Sequence, residues 1–226
     1  MAKKNDANKG IQNIEQTLTQ TEQWLEDNYK PLLYGLAVII VLVGLVWLIK
    51  FMGNRRNKEA EAQMFAAEQY FAKDSMKLAL NGGGNNLGFN DIINTYGRTK
   101  AGKLAQYYAG VCYLQLGQYQ NAIDHLKKYT IKDEILAPQA VALTGDAYVE
   151  LGQKEKGISL YLKAAELAGD EFHTPLYLMK AGEMYETIGN QQKALEVYNK
   201  IKDQYPDSAE GRSIDKYIAR LKVLMK

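Results

Sequence analysis

The sequence predicts an all-α protein: an N-terminal amphipathic helix, one transmembrane helix, and then an α-solenoid of helix pairs. Three observations carry that prediction. Leu32 to Ile49 is a run of 18 residues without a charge. The pattern Gly-x-x-Tyr-x-x-x-Gly occurs three times, starting at Gly110, Gly145 and Gly182, with spacings of 35 and 37 residues. Proline is scarce at 4 residues, while tyrosine reaches 16 against 5 phenylalanines, a balance that suits long packed helices and not a turn-rich β-protein.

Bulk properties exclude several classes. The 226 residues fit one folded domain plus an appendage. A net charge of +2, with basic residues spread along the chain, argues against a nucleic-acid binder. The single cysteine, Cys112, rules out an intramolecular disulfide.

Residues 1–31 form a polar segment. Ile11, Ile14, Leu18 and Leu25 recur at helical spacing and Trp24 widens the stripe, which predicts an amphipathic helix ending before Pro31. With about two heptads, such a helix suits lying on lipid beside an anchor more than a docking role toward a membrane partner, though both fit the pattern.

Residues 32–52 read as a transmembrane helix. Eighteen residues at 1.5 Å rise span about 27 Å, close to a bilayer core. Tyr34 and Trp47 stand near its ends, where amphipathic rings prefer the headgroup level. A cleaved signal peptide is not expected. The run starts 31 residues in and is followed by KFMGNRRNK instead of a small-residue cleavage site. Arg55, Arg56 and Lys58 follow the run closely and only Lys30 closely precedes it, so the charge count alone favours a cytoplasmic C-terminal side.

Residues 53–226 hold the repeats: an irregular first unit at 58–102, repeats at 103–137, 138–174 and 175–209, and a capping helix at 210–226. In each repeat the first glycine (Gly110, Gly145, Gly182) is expected to let two antiparallel helices approach. The tyrosine (Tyr113, Tyr148, Tyr185) is expected to fill the space above that contact. The second glycine (Gly117, Gly152, Gly189) is expected to turn the chain with positive φ. The second helices share a small residue followed by an aliphatic one, at Ala122-Ile123, Gly157-Ile158 and Ala194-Leu195, with Leu126, Tyr161 and Tyr198 four residues after the small one. One pair buries too little to stand alone, and stacking makes a continuous core. Phe89 onward, FNDIINTYGRTKAG, aligns with Tyr198 onward, YNKIKDQYPDSAEG, at an offset of 109. That makes 89–96 the second helix of the irregular unit, its first helix being expected over Lys58 to Leu80 with NGGGNNLG as a flexible linker.

This pattern resembles the tetratricopeptide repeat over about Leu104 to Pro206. The resemblance implies a concave face, and projecting it onto the chain places candidate peptide-binding residues there. They are Leu104, Tyr107, Val111 and Leu114 from the first repeat, Gln139, Ala142, Asp146 and Val149 from the second, and Leu176, Met179, Glu183 and Glu186 from the third. Such a groove shifts from apolar to acidic along its length; the opposing reading is that some of these side chains only pack on neighbouring helices. Nothing in the sequence suggests catalysis, a cofactor or a metal. His125 and His173 lie 48 residues apart, no Cys-x-x-Cys exists, Cys112 reads as a buried structural thiol, and NGGGNNLG lacks the Lys-Ser/Thr of a phosphate loop.

The layout as a whole, with DNYKPLLYGLAVIIVLVGLVWLIKF running from a short amphipathic segment into a single anchor with a basic exit, resembles the YfgM-like ancillary subunits of the bacterial Sec translocon. That resemblance implies a single-pass inner-membrane protein with periplasmic repeats. It also implies, as partners, SecYEG and a membrane-anchored periplasmic chaperone of the peptidyl-prolyl isomerase type, and a role in handling exported proteins, with neither nucleic acid nor a small-molecule substrate. It opposes the charge count, and the reading adopted follows it. An adaptor of another envelope assembly and a cytosol-facing organellar import receptor share the same order of elements.

Overall fold

A computed structural model describes residues 2–225, with side chains described at Trp24, Leu25 and from 28 onward. Among the described residues there are helices and turns and no strand. The elements are α1 (Ala2–Ala72), α2 (Met76–Asn81), α3 (Phe89–Tyr96), α4 (Lys100–Gln115), α5 (Tyr119–Leu126), α6 (Leu136–Glu150), α7 (Lys154–Ala168), α8 (His173–Thr187), α9 (Gln191–Gln204), a 3-10 turn (Gly211–Ser213) and α10 (Ile214–Leu224). The chain divides into two compact units, Met1–Gly53 and Asn54–Lys226.

The first unit lies wholly on α1. Helix α1 contains a stretch long and apolar enough to cross a membrane, and every residue from 29 to 56 is exposed. The helix does not end before Pro31, as expected from the sequence, but runs through it. Proline leaves one carbonyl, four residues earlier, without its helical donor. Because Pro31 is exposed, water can take that place. Trp24 and Leu25 are exposed; the rest of the expected amphipathic stripe, Ile11, Ile14 and Leu18, lies outside the residues whose side chains are described.

The second unit packs consecutive helices as antiparallel neighbours. Alanines do much of the work: Ala60, Ala67, Ala79, Ala105, Ala109, Ala122, Ala147, Ala164, Ala181 and Ala194 are all fully buried, so backbones come close, and larger side chains fill what remains. Three clusters run in sequence order. The first joins the end of α1 (Ala60, Met64, Ala67) to α2, α3 and α4 around Phe89 and Ile92. The second joins α4, α5 and α6 around Ile123 and Leu126. The third runs from α6 to α10 around Tyr161, Leu178, Tyr198, Ile201, Ile214 and Leu221. Capping helix α10 closes the array by burying Ile214, Ile218 and Leu221.

Two features of the irregular unit differ from expectation. The helix expected over Lys58 to Leu80 breaks after Ala72, where Asp74 takes a positive φ of 54° and Ser75 N–H bonds the Tyr70 carbonyl at 2.9 Å. Aspartate tolerates that conformation better than most residues, and the break lets α2 fold back onto α4. NGGGNNLG is not a loose linker either. Gly83 and Asn86 exchange two backbone hydrogen bonds at 3.2 Å. A Cβ on Gly82 would stand 2.2 Å from the Asn86 carbonyl oxygen, and one on Gly88 2.3 Å from Gly82 N. The glycines are there because backbone meets backbone.

Candidate functional site

The repeating joint is built first. A Cβ on Gly110 would lie 2.5 Å from Leu126 Cγ, one on Gly145 2.9 Å from Tyr161 Cε1, and one on Gly182 2.2 Å from Tyr198 Cε1. The space above each glycine is therefore filled by the second helix of the same pair. The expectation that the motif tyrosine fills it is corrected. Tyr113, Tyr148 and Tyr185 are half-buried and reach back toward the preceding unit. Tyr113 Oη accepts from Asn90 of α3 at 3.0 Å. Tyr148 Oη accepts from Lys127 Nζ at 2.7 Å, and its ring also lies under Lys156. Tyr185 shares a hollow with Ile158 and Leu162 of α7. Gly117, Gly152 and Gly189 turn the chain at φ of 71°, 76° and 77°.

The candidate groove residues do not form one open surface. Tyr107, at 7 % exposure, packs on Tyr108 and Tyr129. Met179 at 9 % and Ala142 at 3 % belong to the buried core cluster that runs from α6 to α10. These positions face the neighbouring helix and cannot line a binding face. Val149 is committed as well. A Cβ on Gly157 would meet Val149 Cγ2 at 2.4 Å, which explains why that second helix carries glycine where the others carry Ala122 and Ala194.

Nor is the acidic end of the groove free. Asp146 accepts from Tyr161 Oη at 2.6 Å and from Lys180 Nζ at 2.7 and 2.9 Å. Glu186 accepts from Tyr198 Oη at 2.6 Å and from Arg220 Nη2 at 2.7 and 2.8 Å. A second-helix tyrosine, a first-helix acid and a cation from the next element thus latch α7, α6 and α8, and again α9, α8 and α10. Burial pushes the Tyr161 and Tyr198 phenols up from their ordinary value, and the carboxylates they donate to push further the same way. The first repeat has Leu126 at this position; instead His125 Nδ1 pairs with Gln106 Oε1 at 2.8 Å.

What stays accessible is an apolar set, one amide and one acid. Leu104, Val111, Leu114 and Gln139 are half-buried, and Leu176 and Glu183 are exposed. Leu114, Asp146 and Val149 meet Tyr119, Glu150 and Tyr161 around one shallow hollow. Leu176 lies apart, in a cleft of about 420 Å³ with Phe172, Tyr205, Pro206 and Arg212. Cys112 is fully buried and its thiol is pushed up to about 12 by burial, so it stays protonated.

Sequence reasoning missed the latch cations Lys180 and Arg220 and a pair of capping acids. Asp133 accepts from the backbone N–H of Ile135 and Leu136, and Asp170 from those of Phe172 and His173. The signal was present: Asp-Glu-x-x-x-Pro occurs at Asp133 and again at Asp170, 37 residues on. In both copies the proline, Pro138 or Pro175, is buried in the first turn of a first helix.

Stacked helix pairs closed by a capping helix define a protein-interaction scaffold of the helical-solenoid class. Models of the tetratricopeptide repeat match residues 104–132, 139–171 and 177–208, so these three segments carry tetratricopeptide repeats. Solved structures agree on the fold. Nearly identical TPR-like repeats from Podosopora anserina, of the kinesin light chain type, superpose with a TM-score of 0.56 at 14 % identity, covering 74 % of this chain and 86 % of that one. The MamA protein superposes with a TM-score of 0.55 at 18 % identity, covering 73 % and 88 %. No curated protein matches the chain.

Proposed function

We propose that the protein is a single-span membrane-anchored tetratricopeptide scaffold that holds extended or unfolded polypeptide on the apolar side chains of its first helices. The observation that carries the anchor is that every residue from 29 to 56 is exposed, among them Leu32, Leu36, Ile39, Ile40, Val43 and Trp47. Each large apolar side chain left in water forgoes about 1.5–3 kcal/mol. No helix of the first unit's own packs on the run, and lipid supplies what is lacking. Leu104, Val111, Leu114, Gln139, Leu176 and Glu183 are the proposed contacts.

The finer reading is an ancillary subunit of the Sec translocon, in the bacterial inner membrane with periplasmic repeats, working beside SecYEG and a membrane-anchored chaperone. It rests on the likeness in layout set out above. The basic exit of Arg55, Arg56 and Lys58 favours the opposite orientation and with it a cytosol-facing receptor. In-cell photocrosslinking from Val111, with Lys163 on a second helix as control, separates the readings. SecY and exported chains recovered from position 111 alone support the Sec assignment; recovery of an unrelated envelope assembly replaces it.

A further inference from the structure

Two basic segments far apart in sequence meet in the second unit. Arg55, Arg56 and Lys58 lie on α1, while Arg98, Lys100 and Lys103 lie at the corner between α3 and α4. Three contacts pin that corner. Arg56 Nη2 donates to the Thr95 carbonyl at 2.9 Å, Ala101 N–H to Asn57 Oδ1 at 2.9 Å, and Tyr96 Oη to Glu59 Oε1 at 2.9 Å. The corner is tight: a Cβ on Gly102 would lie 2.1 Å from the Tyr96 carbonyl oxygen, and Thr99 Oγ1 accepts from Gly102 N–H at 3.0 Å.

The result is a patch of six cations on a chain whose net charge is only +2. Arg55, Arg56, Lys58, Arg98 and Lys100 are exposed, and among the described residues none of the six is in an ion pair. Glu59 and Glu61, on the same stretch of α1, accept hydrogen bonds from Tyr96 and Asn57. Helix α4 has no acid in its first turn but carries Lys100 and Lys103 there, which opposes its dipole unless an anion lies nearby. Arg55 follows Met52 by three residues, a reach of at most about 10 Å whatever the backbone conformation. The patch is therefore tethered at the edge of the apolar run.

We propose that the α3–α4 corner and residues 55–58 together form a docking surface for anionic phospholipid headgroups, which seats the first helix pair on the bilayer. This rests on the membrane-span reading. Cations gathered near an anionic surface act together, so the six form a contact that salt weakens.

The test uses the full chain in nanodiscs of phosphatidylcholine alone or with phosphatidylglycerol, with lysine reactivity read by acylation and mass spectrometry. Lys58, Lys100 and Lys103 are expected to react about threefold or more slowly in the anionic discs, a protection that molar salt removes, while Lys154 and Lys200 are unchanged. The double variant R98E/K100E should abolish the difference, and its helical circular dichroism should stay intact because an acid at position 100 suits a helix N-terminus. Equal reactivity in both discs overturns the proposal and leaves the span standing. Protection by inorganic phosphate over neutral discs replaces the lipid surface with a free-anion site and overturns it too. A chain that fails to enter neutral discs overturns the span and this inference together.

Discussion

Replacing Gly182 with alanine sets two physical effects against each other. Gly182 lies inside α8, where alanine is a better helix former and should stabilise by about 0.5–1 kcal/mol. Against that, the new Cβ would stand 2.2 Å from Tyr198 Cε1, 2.8 Å from Cδ1 and 3.0 Å from Cζ. The Tyr198 ring is fully buried, and its hydroxyl is held by Glu186, so it cannot swing aside. Overpacking of this kind costs about 1–3 kcal/mol. The net is a loss of about 1–2 kcal/mol, or roughly 2–8 °C in Tm for a unit of this size. The same exchange at Gly145, where the nearest ring atom is 2.9 Å away, should be nearly neutral, with Gly110 at 2.5 Å between them. Thermal unfolding followed by circular dichroism gives the order. A Gly182→Ala variant that melts higher than the parent would refute the claim that second-helix side chains occupy these glycines.

The turn glycines give a contrasting result. Nothing lies within 4 Å of a Cβ at Gly117, Gly152 or Gly189, so Gly→Ala there should cost about 1–2 kcal/mol through positive φ alone, and Gly→Asn much less in the same melting assay. Arg220→Ala removes the last latch; because Arg220 is 54 % exposed on its side chain the loss is about 0.5–1 kcal/mol, read as a few-fold faster hydrogen exchange over 214–224 with 60–112 unchanged. Cys112 should be inert to thiol reagents at pH 8 in the folded protein, since burial raises its pKa to about 12, and should react at an ordinary rate once urea unfolds the chain. Asp133→Ala and Asp170→Ala should each cost about 1 kcal/mol as lost caps. Burial pushes both carboxyls up, but for Asp133 bonds from Tyr129 and backbone N–H groups, and for Asp170 bonds from His173 and the backbone, outweigh it and leave both below the ordinary aspartate value. Their contribution is thus present above the ordinary carboxylate range and lost as pH falls through the depressed folded values, so the variants' deficit should vanish in acid melts.

The all-α class and the three helix pairs were legible because glycine, tyrosine and a small-aliphatic pair recur at fixed offsets, and each offset maps to one place on a helix. The apolar run was legible from length alone. The groove was not. Position 107 and position 111 lie on one helix face, yet a large tyrosine is buried against Tyr129 while the valine is only half-buried, and periodicity carries no record of that depth. The acids misled for a related reason. Asp146 and Glu186 read as open charge because their cations, Lys180 and Arg220, stand 34 residues away in sequence. The break at Asp74 was hidden because the residues on either side both suit helices. The knitted glycine turn was missed because composition alone does not separate a flexible linker from a place where two backbones touch.

The most direct test of the proposed placement, a scaffold anchored by one span with its repeats on the periplasmic side, is protease added to intact spheroplasts carrying the full chain. The account predicts that the tetratricopeptide region, residues 104–208, is digested without lysis while cytoplasmic markers survive. Full protection of that region until the membrane is broken would contradict it.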